Sequence, residues 1–487
     1  MSDLRAPGVT FSGRRAIALG VASVALLLIL GGGTLLRAEA PPAQAIHSPQ
    51  VGRTTMICTT SAPLSATARA KTEVSAVAIR EAPDRPGSLS GSTLDAKPVK
   101  LKLSEPGKGA EPFRTNASIV IAADGAMASA SSAVIVDDVT GGNEPGLKAA
   151  PCLAPATAHW FSGLGATEED STDLILSNPD DAQAQVDLRY YGRSGRIAVP
   201  GSPGLVIRGH DSRRVSLADL RGESPVSVAI QASQGRVTAV AKRTQTRQFK
   251  PAGVDWQVPS VSPSRVVVIP GVPADEGGRQ LVVTNPNNSR ATVAVQVLGF
   301  QGPYAPSGAA SVDVPAEGTA SVNLEPGLAG EAAGIKLTSD VPVTGAVLAT
   351  SRRGGKGTDL AVQSAAAPLI GTGVSALATS DIADSELIIS NGGDSDAQAT
   401  FEVFSYGGVK LRTDDVVLAA NSTATRRLNS PAPSYVVVNV PDDSSVVAGV
   451  VLTQPDRDVA GLATIPLSSP DLASRAPATR PDYSAGR

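Results

Sequence analysis

Leu174-Ile175-Leu176-Ser177-Asn178-Pro179 is written three times along this chain. It returns as Leu281-Val282-Val283-Thr284-Asn285-Pro286 and as Leu387-Ile388-Ile389-Ser390-Asn391-Gly392. From Asn178 to Asn285 is 107 residues, and from Asn285 to Asn391 is 106. The apolar run before each asparagine is short and unbroken, which fits a strand central in its sheet. Asn-Pro or Asn-Gly then ends the strand, because Asn and Gly tolerate left-handed backbone and Pro cannot donate to a ladder.

After each asparagine the pattern alternates. Val186, Leu188 and Tyr190 answer Val293, Val295 and Val297, and then Ala399, Phe401 and Val403. A period of two is that of a strand with one buried face. Gly195, Gly302 and Gly408 then permit a turn. Later strands recur at Val226–Ile230, Ala333–Leu337 and Tyr435–Asn439, and each copy closes with a strand: Gly253–Trp256, Gly357–Leu360 and Val459–Leu462. About eight short strands per ~105 residues predict all-β, tandem immunoglobulin-like β-sandwich domains. A period this long marks a series of domains, since solenoids and propellers repeat every 20 to 50 residues or so.

The stretch from Arg53 to Pro155 has the right length for a degenerate first copy. Ala117–Ile121 resembles Val226–Ile230, and Gly146-Leu147-Lys148 sits where Gly253-Val254-Asp255 sits one period on. Its middle, Glu81 to Lys108, is rich in Pro, Gly, Ser and Lys and reads as a long loop. Arg5, Arg14 and Arg15 precede an apolar run from Ala16 to Leu36 that just spans a bilayer core of about 30 Å. That charge asymmetry predicts a cytoplasmic amino terminus and everything else outside. A retained signal anchor and a cleaved signal peptide, ending at Ala38-Glu39-Ala40 or Ala43-Gln44-Ala45, both remain open.

The predicted organisation is therefore a cytoplasmic segment at 1–15, a transmembrane helix at 16–36 and a linker at 37–52. A degenerate sandwich at 53–155 is followed by sandwiches at 156–262, 263–367 and 368–467 and a disordered tail at 468–487. Cys58 and Cys152 lie near the two ends of the first sandwich, and in an exported chain two lone cysteines pair. Closing about 95 residues would stabilise by roughly 4 kcal/mol in the chain-entropy model, and by less in practice.

Chemistry is sparse. With a net charge of −3 the chain has no pull toward nucleic acid. Only 3% of its residues are aromatic, against 48 glycines and 37 prolines, which suits many turns and small cores. No nucleophile elbow, His-Glu-x-x-His stretch or phosphate loop occurs, and no cofactor or metal is expected. Asn391-Gly-Gly-Asp394-Ser-Asp396 lacks the distal bidentate carboxylate of a calcium loop, so turn chemistry is the plainer reading. His159 reads as a packed histidine, and Trp160 and Trp256 as core residues in an opening and a closing strand. Arg193, Arg196, Arg208, Arg213 and Arg214 form the best surface candidate for an anionic partner, weighed against an ordinary charged face.

The layout Cys152-Leu-Ala-Pro155, then His159-Trp160-Phe161-Ser-Gly-Leu-Gly165, then the Asn-Pro stretches and Gly253-Val254-Asp255-Trp256, resembles an uncharacterised family of exported actinobacterial proteins. The resemblance implies a membrane-anchored or secreted envelope protein and supplies no catalytic residues. The expectation is a membrane-tethered, extracytoplasmic, non-enzymatic protein that acts as spacer or docking module for an envelope protein or wall glycan. An envelope enzyme, or an accessory subunit of a glycosyltransferase system, is the alternative.

Overall fold

The computed structural model describes residues 51–470, apart from 61–66, 83–84, 221, 275–276, 352–357 and 455–460. The apolar run at 16–36, its flanks and the tail beyond 470 lie outside the described residues. Among those described, no helix is long and apolar enough to cross a membrane.

The chain is nearly all β, in paired sheets. The first pair uses β1 (Arg53–Cys58), β2 (Arg69–Ala78), β3 (Gly87–Thr93), β4 (Pro98–Leu103), β5 (Lys108–Gly109), β6 (Phe113–Arg114), β7 (Ile119–Gly125), β8 (Ser131–Thr140) and β9 (Gly146–Pro151). Its sheets run β1-β7-β3-β4 and β5-β2-β8-β9, with β6 also on β2. The expected loop at Glu81–Lys108 thus holds the β3–β4 pair. Leu89 and Leu101 are buried there, while Lys100 and Lys102 stay exposed, so alternation outweighs the Gly-Ser composition.

The second pair uses β10 (Ala158–Leu164), β11 (Asp170–Asn178), β12 (Ala184–Gly192), β13 (Gly195–Ile197), β14 (Leu205–Ile207), β15 (Asp211–Ser216), β16 (Val226–Gln234), β17 (Thr238–Arg247) and β18 (Lys250–Gln257). Here β10-β16-β12-β13 faces β15-β11-β17-β18. The third uses β19 (Ser264–Val272), β20 (Arg279–Asn285), β21 (Ala291–Gly299), β22 (Gly302–Tyr304), β23 (Ser311–Val314), β24 (Gly318–Asn323), β25 (Ala333–Thr350) and β26 (Leu360–Ser364). Its long β25 serves both layers, pairing β19 and β21 with its first half and β20 and β26 with its second. The fourth uses β27 (Thr372–Leu377), β28 (Asp384–Asn391), β29 (Ala397–Ser405), β30 (Lys410–Leu418), β31 (Ser422–Arg427), β32 (Ser434–Asn439), β33 (Val446–Gln454) and β34 (Gly461–Pro466). Its sheets run β27-β32-β29-β30 and β31-β28-β33-β34.

The three asparagines make one and the same turn. Asn178 donates from Nδ2 to Ala182 O at 2.7 Å and accepts the amide of Asp180 at 3.0 Å. Asn285 does this with Ser289 (2.7 Å) and Asn287 (3.0 Å), and Asn391 with Ser395 (2.8 Å) and Gly393 (2.9 Å). Each also reaches a carbonyl about 28 residues on, at Ile207, Val314 or Leu418. The side-chain amide, and not its neighbour Pro or Gly, is what fixes the hairpin.

The unbroken triplets are buried on both faces, and the second face explains how the sandwiches assemble. Leu174 and Leu176 lie in their own core, while Ile175 packs against the core of the first sandwich. Leu387 and Ile389 lie in the fourth core, and Ile388 joins Ala349 and Ala361 of the third sandwich. Leu281 and Val283 are likewise internal. Val282 instead sits over Gly163 of the second sandwich, where a Cβ would come within 2.8 Å of its side chain. The adjoining hydroxyls cross the same boundary: Ser162 meets Thr284 at 2.6 Å, and Thr284 donates to Ser227 at 2.7 Å. In β2 the pattern turns once more. Val74, Ala76 and Ala78 line the first core, but Val77 belongs with the fourth sandwich. Each sandwich therefore lays the outer face of one sheet on the sandwich before it, and the first lays its face on the fourth. The contacts close on themselves, and Val51–Ser474 is one compact unit.

Cys58 and Cys152 form a disulfide with an S–S distance of 2.03 Å and a Cα–Cα distance of 4.3 Å. It joins the end of β1 to the residue just after β9 across 94 residues of sequence.

Candidate functional site: a shared carboxylate junction

Strands β9, β18, β26 and β34 are each the last in a sheet, paired on one side only, with β8, β17, β25 and β33. An edge strand keeps a row of unpaired amides, and burying them without acceptors costs about 1–3 kcal/mol apiece. Here the four edges are brought together and two carboxylates take up the amides.

Asp359, just before β26, accepts four of them. Leu147 and Leu462 each donate to Oδ2 at 2.9 Å; Val254 donates to Oδ1 at 3.1 Å and Leu360 at 2.9 Å. One amide comes from each closing strand, so the first, second, third and fourth sandwiches all end on one side chain. These bonds set Asp359 level with Gly146, Gly253 and Gly461. The register expected from sequence, with Gly357 and Val459 opposite Gly253, is therefore corrected by two residues. Matching Gly to Gly misled it, because the site needs one carboxylate and three gaps. A Cβ on Gly146 would meet the Asp359 carboxylate at 2.8 Å.

Two residues along, Asp255 repeats the device. Ala149 donates to its Oδ1 at 3.3 Å and Val362 to its Oδ2 at 3.2 Å. Around these levels Thr358 donates to Ala252 O at 3.0 Å, Ser364 to Val258 O at 2.7 Å and Thr464 to Val362 O at 3.3 Å. Beside them Trp256 donates from Nε1 to Asp137 at 3.1 Å, and buried Lys148 lies 3.7 Å from that carboxylate and 5.8 Å from the indole ring. Trp256 is thus a core residue at a seam between sandwiches.

Both acids are completely buried. Burial pushes Asp359 up to about 7, while its four amide bonds pull the other way. Burial raises Asp255 well above the ordinary carboxylate range, and the neighbouring Asp359 adds to this. Chemically the junction binds strands. Its carboxylate oxygens face backbone amides, and the hydroxyls of Thr358, Ser364 and Thr464 donate to backbone carbonyls. Among the described residues, no group of three or more His, Cys, Asp or Glu side chains could hold a metal ion.

The arginines singled out from sequence are all exposed, and the fold spreads them over two sheets. Arg193 lies in the β12–β13 turn and Arg196 on β13; Arg213 and Arg214 are consecutive on β15 in the opposite sheet, so they point to opposite faces. Arg214 lies 3.1 Å from Asp173, Arg213 donates to Val206 O at 3.4 Å, and Arg208 follows β14. His210 meets Asp181 at 2.7 Å. His159 is buried, bonded to Val237 O at 2.8 Å, and burial lowers its pKa. Asp394 meets Lys336 at 3.2 Å and Asn421 at 3.0 Å, and Asp396 accepts the Ala420 amide at 2.9 Å. Sequence reasoning missed the junction itself. Its signal was a lone Asp among three glycines at one level, which no comparison of like with like would single out.

Residues 104–425 match a family of unknown function, DUF5719, and the chain belongs to that family. No curated protein matches it. Among solved structures, it is similar to a Thermotoga maritima protein designated 1070, at 16% identity and a TM-score of 0.17, over 21% of this chain and 93% of that one. The major pilin of Streptococcus pyogenes is similar at 8% identity and a TM-score of 0.13, over 64% of this chain and 99% of the pilin. A glycosyl hydrolase family 2 member from Bacteroides cellulosilyticus is similar at 12% identity and a TM-score of 0.12, over 58% and 36% of the two chains.

Proposed function

We propose that this member of the DUF5719 family is a membrane-tethered, extracytoplasmic and non-enzymatic protein of an actinobacterial cell envelope. It acts as spacer or docking module for a protein or a wall glycan, its immunoglobulin-like sandwiches anchored through a transmembrane helix at 16–36 and a linker at 37–52. The observation that carries this reading is the Asp359 junction. The buried acids, which in an enzyme would be the candidates for acid–base work, are occupied in joining four backbone strands. A chain that uses its buried charge to hold modules together, and precedes them with an apolar run flanked by Arg14 and Arg15, is built to present surface. The Cys58–Cys152 disulfide accords with an oxidising compartment. The test is photo-crosslinking in intact cells from exposed rim positions such as Arg196 and Arg213, followed by identification of what is captured. Envelope proteins or wall polymer on the adducts support the reading. Adducts confined to cytoplasmic proteins, or a body inaccessible to protease added outside the cell, overturn it.

A further inference from the structure

In each sandwich the sheet that does not end at the junction has a rim edge, at β4, β13 with β14, β22 with β23, or β30, and three of these four equivalent edges are blunted. The first, β4, has Pro98, Lys100 and Lys102 in its six residues. The second is cut into β13 and β14, of three residues each, with Pro200 and Pro203 between them. The third is cut into β22 and β23, of three and four residues, around Pro306. These are the ordinary ways to keep a strand edge from pairing with another chain. The fourth edge is different. Its β30 runs nine residues, Lys410–Leu418, without a proline; it pairs with β29 alone, with a bulge at Leu411 and a regular run from Arg412 to Leu418. It carries exposed Leu411 (52%) and Val417 (74%), with Val409 (63%) just ahead of it.

The charges on β30 are arranged as their own complement. Arg412 and Asp414 flank Thr413, so a second β30 laid antiparallel about Thr413 sets Arg412 against Asp414 of the second copy, and the reverse. Val417, four residues past Thr413 in the regular run, lies near each end of the seam. We infer that two copies of this chain pair through β30, antiparallel and about a two-fold axis at Thr413, into one sheet continuous across both molecules. An isologous contact of this kind closes after two copies. Within one chain, Asp414 already lies 3.3 Å from both Arg412 and Arg426, and Arg412 lies 5.0 Å above the Phe401 ring. The side chains are thus held at the rim where the second copy would meet them. Asp415, two residues past the axis, has its carboxylate taken by Thr400 at 2.7 Å.

The full-length chain in detergent micelles, followed by sedimentation velocity from about 1 to 100 μM, should show a concentration-dependent dimer. Arg412→Asp alone and Asp414→Arg alone each set like charges together twice, and each should weaken the dimer roughly tenfold or more. Mixing these two variants restores opposite charges at both pairs and should restore association, which a misfolded variant could not do. Cysteine at the axis gives an independent reading, because Cys58 and Cys152 are already joined to each other. Under mild oxidation Thr413→Cys should give a covalent dimer, and Asp415→Cys should give little. A monomer at every concentration overturns the proposal. So does a dimer indifferent to both charge reversals, or a Thr413→Cys variant that stays free of covalent dimer under the same oxidation.

Discussion

Two sets of equivalent strand edges are treated by the molecule in opposite ways. The inner set, β9, β18, β26 and β34, is buried, and its free amides end on Asp359 and Asp255. The outer set, β4, β13 with β14, β22 with β23, and β30, faces water, where the solvent satisfies the ladder and the sequence need only discourage pairing. The difference teaches that an unpaired edge is a polar problem inside and a specificity problem outside. A buried acid, normally a liability, is the compact answer to the first, because one carboxylate has about four lone-pair sites for four donors. Proline, lysine and interruption answer the second.

The largest expected effect is at the inner set. Asp359→Asn puts an amide NH2 group where two amides now donate, and should cost roughly 3–6 kcal/mol, measured as a drop in the urea midpoint. An effect near that of a surface substitution would mean that the junction is held by packing alone. The pH dependence sharpens the same point. Asp359 keeps its proton up to about 7 in the folded chain. The unfolded carboxyl has released its proton by about pH 4, so across that window the folded state binds the extra proton. The stability from this group is complete below the window and is lost as pH rises through it. A shift of about three units caps the loss at ~4 kcal/mol. Denaturation at about pH 5 and pH 8 should show wild-type stability falling, and Asp359→Asn should flatten the slope. A slope of the opposite sign would show that the four amides outweigh burial.

The boundary between sandwiches should come next. Gly163 has a φ of +77° and no room for a methyl group beside Val282. Gly163→Ala should cost about 2–3 kcal/mol, with the steric part recovered in combination with Val282→Ala and the backbone part not. At the rim, Asn285→Ala removes bonds to Ser289, Val314 and Asn287 and should cost about 1–2 kcal/mol in the same assay. Smallest of all, Arg196→Ala, on an exposed strand, should leave the urea midpoint unchanged. A loss there would mean that the rim arginines serve the fold.

Much of this architecture could be read from the residues. Leu174-Ile175-Leu176 announced a strand central in its sheet, as β11 is, and the alternation after Asn178 announced a strand with one buried face. The all-β class and the Cys58–Cys152 pairing are present in the structure. What could not be read was the identity of the second cover. Ile175, Val282 and Ile388 each face a different sandwich, and no local period says which. The Glu81–Lys108 hairpin was hidden by its serines and glycines, whose backbone pairs as well as any other once Leu89 and Leu101 are buried. Asp359 was hidden because a register two residues out matched it with Asp255, when the residues at its own level are Gly146, Gly253 and Gly461.

Sharing one acid among four modules also takes time. The amide of Leu147 leaves the ribosome long before the amide of Leu462, 315 residues later (462 − 147). At about 5–20 residues per second the interval is roughly 15–60 s. Through it the early sandwiches wait with bare inner margins, and Asp359 itself has too few donors. The nascent chain stays vulnerable to clumping and proteolysis until β34 has emerged, and a copy truncated short of β34 would stay in that condition. A cell that makes this protein must therefore shelter a long unfinished chain, and β34 decides whether the first sandwich is ever fully covered.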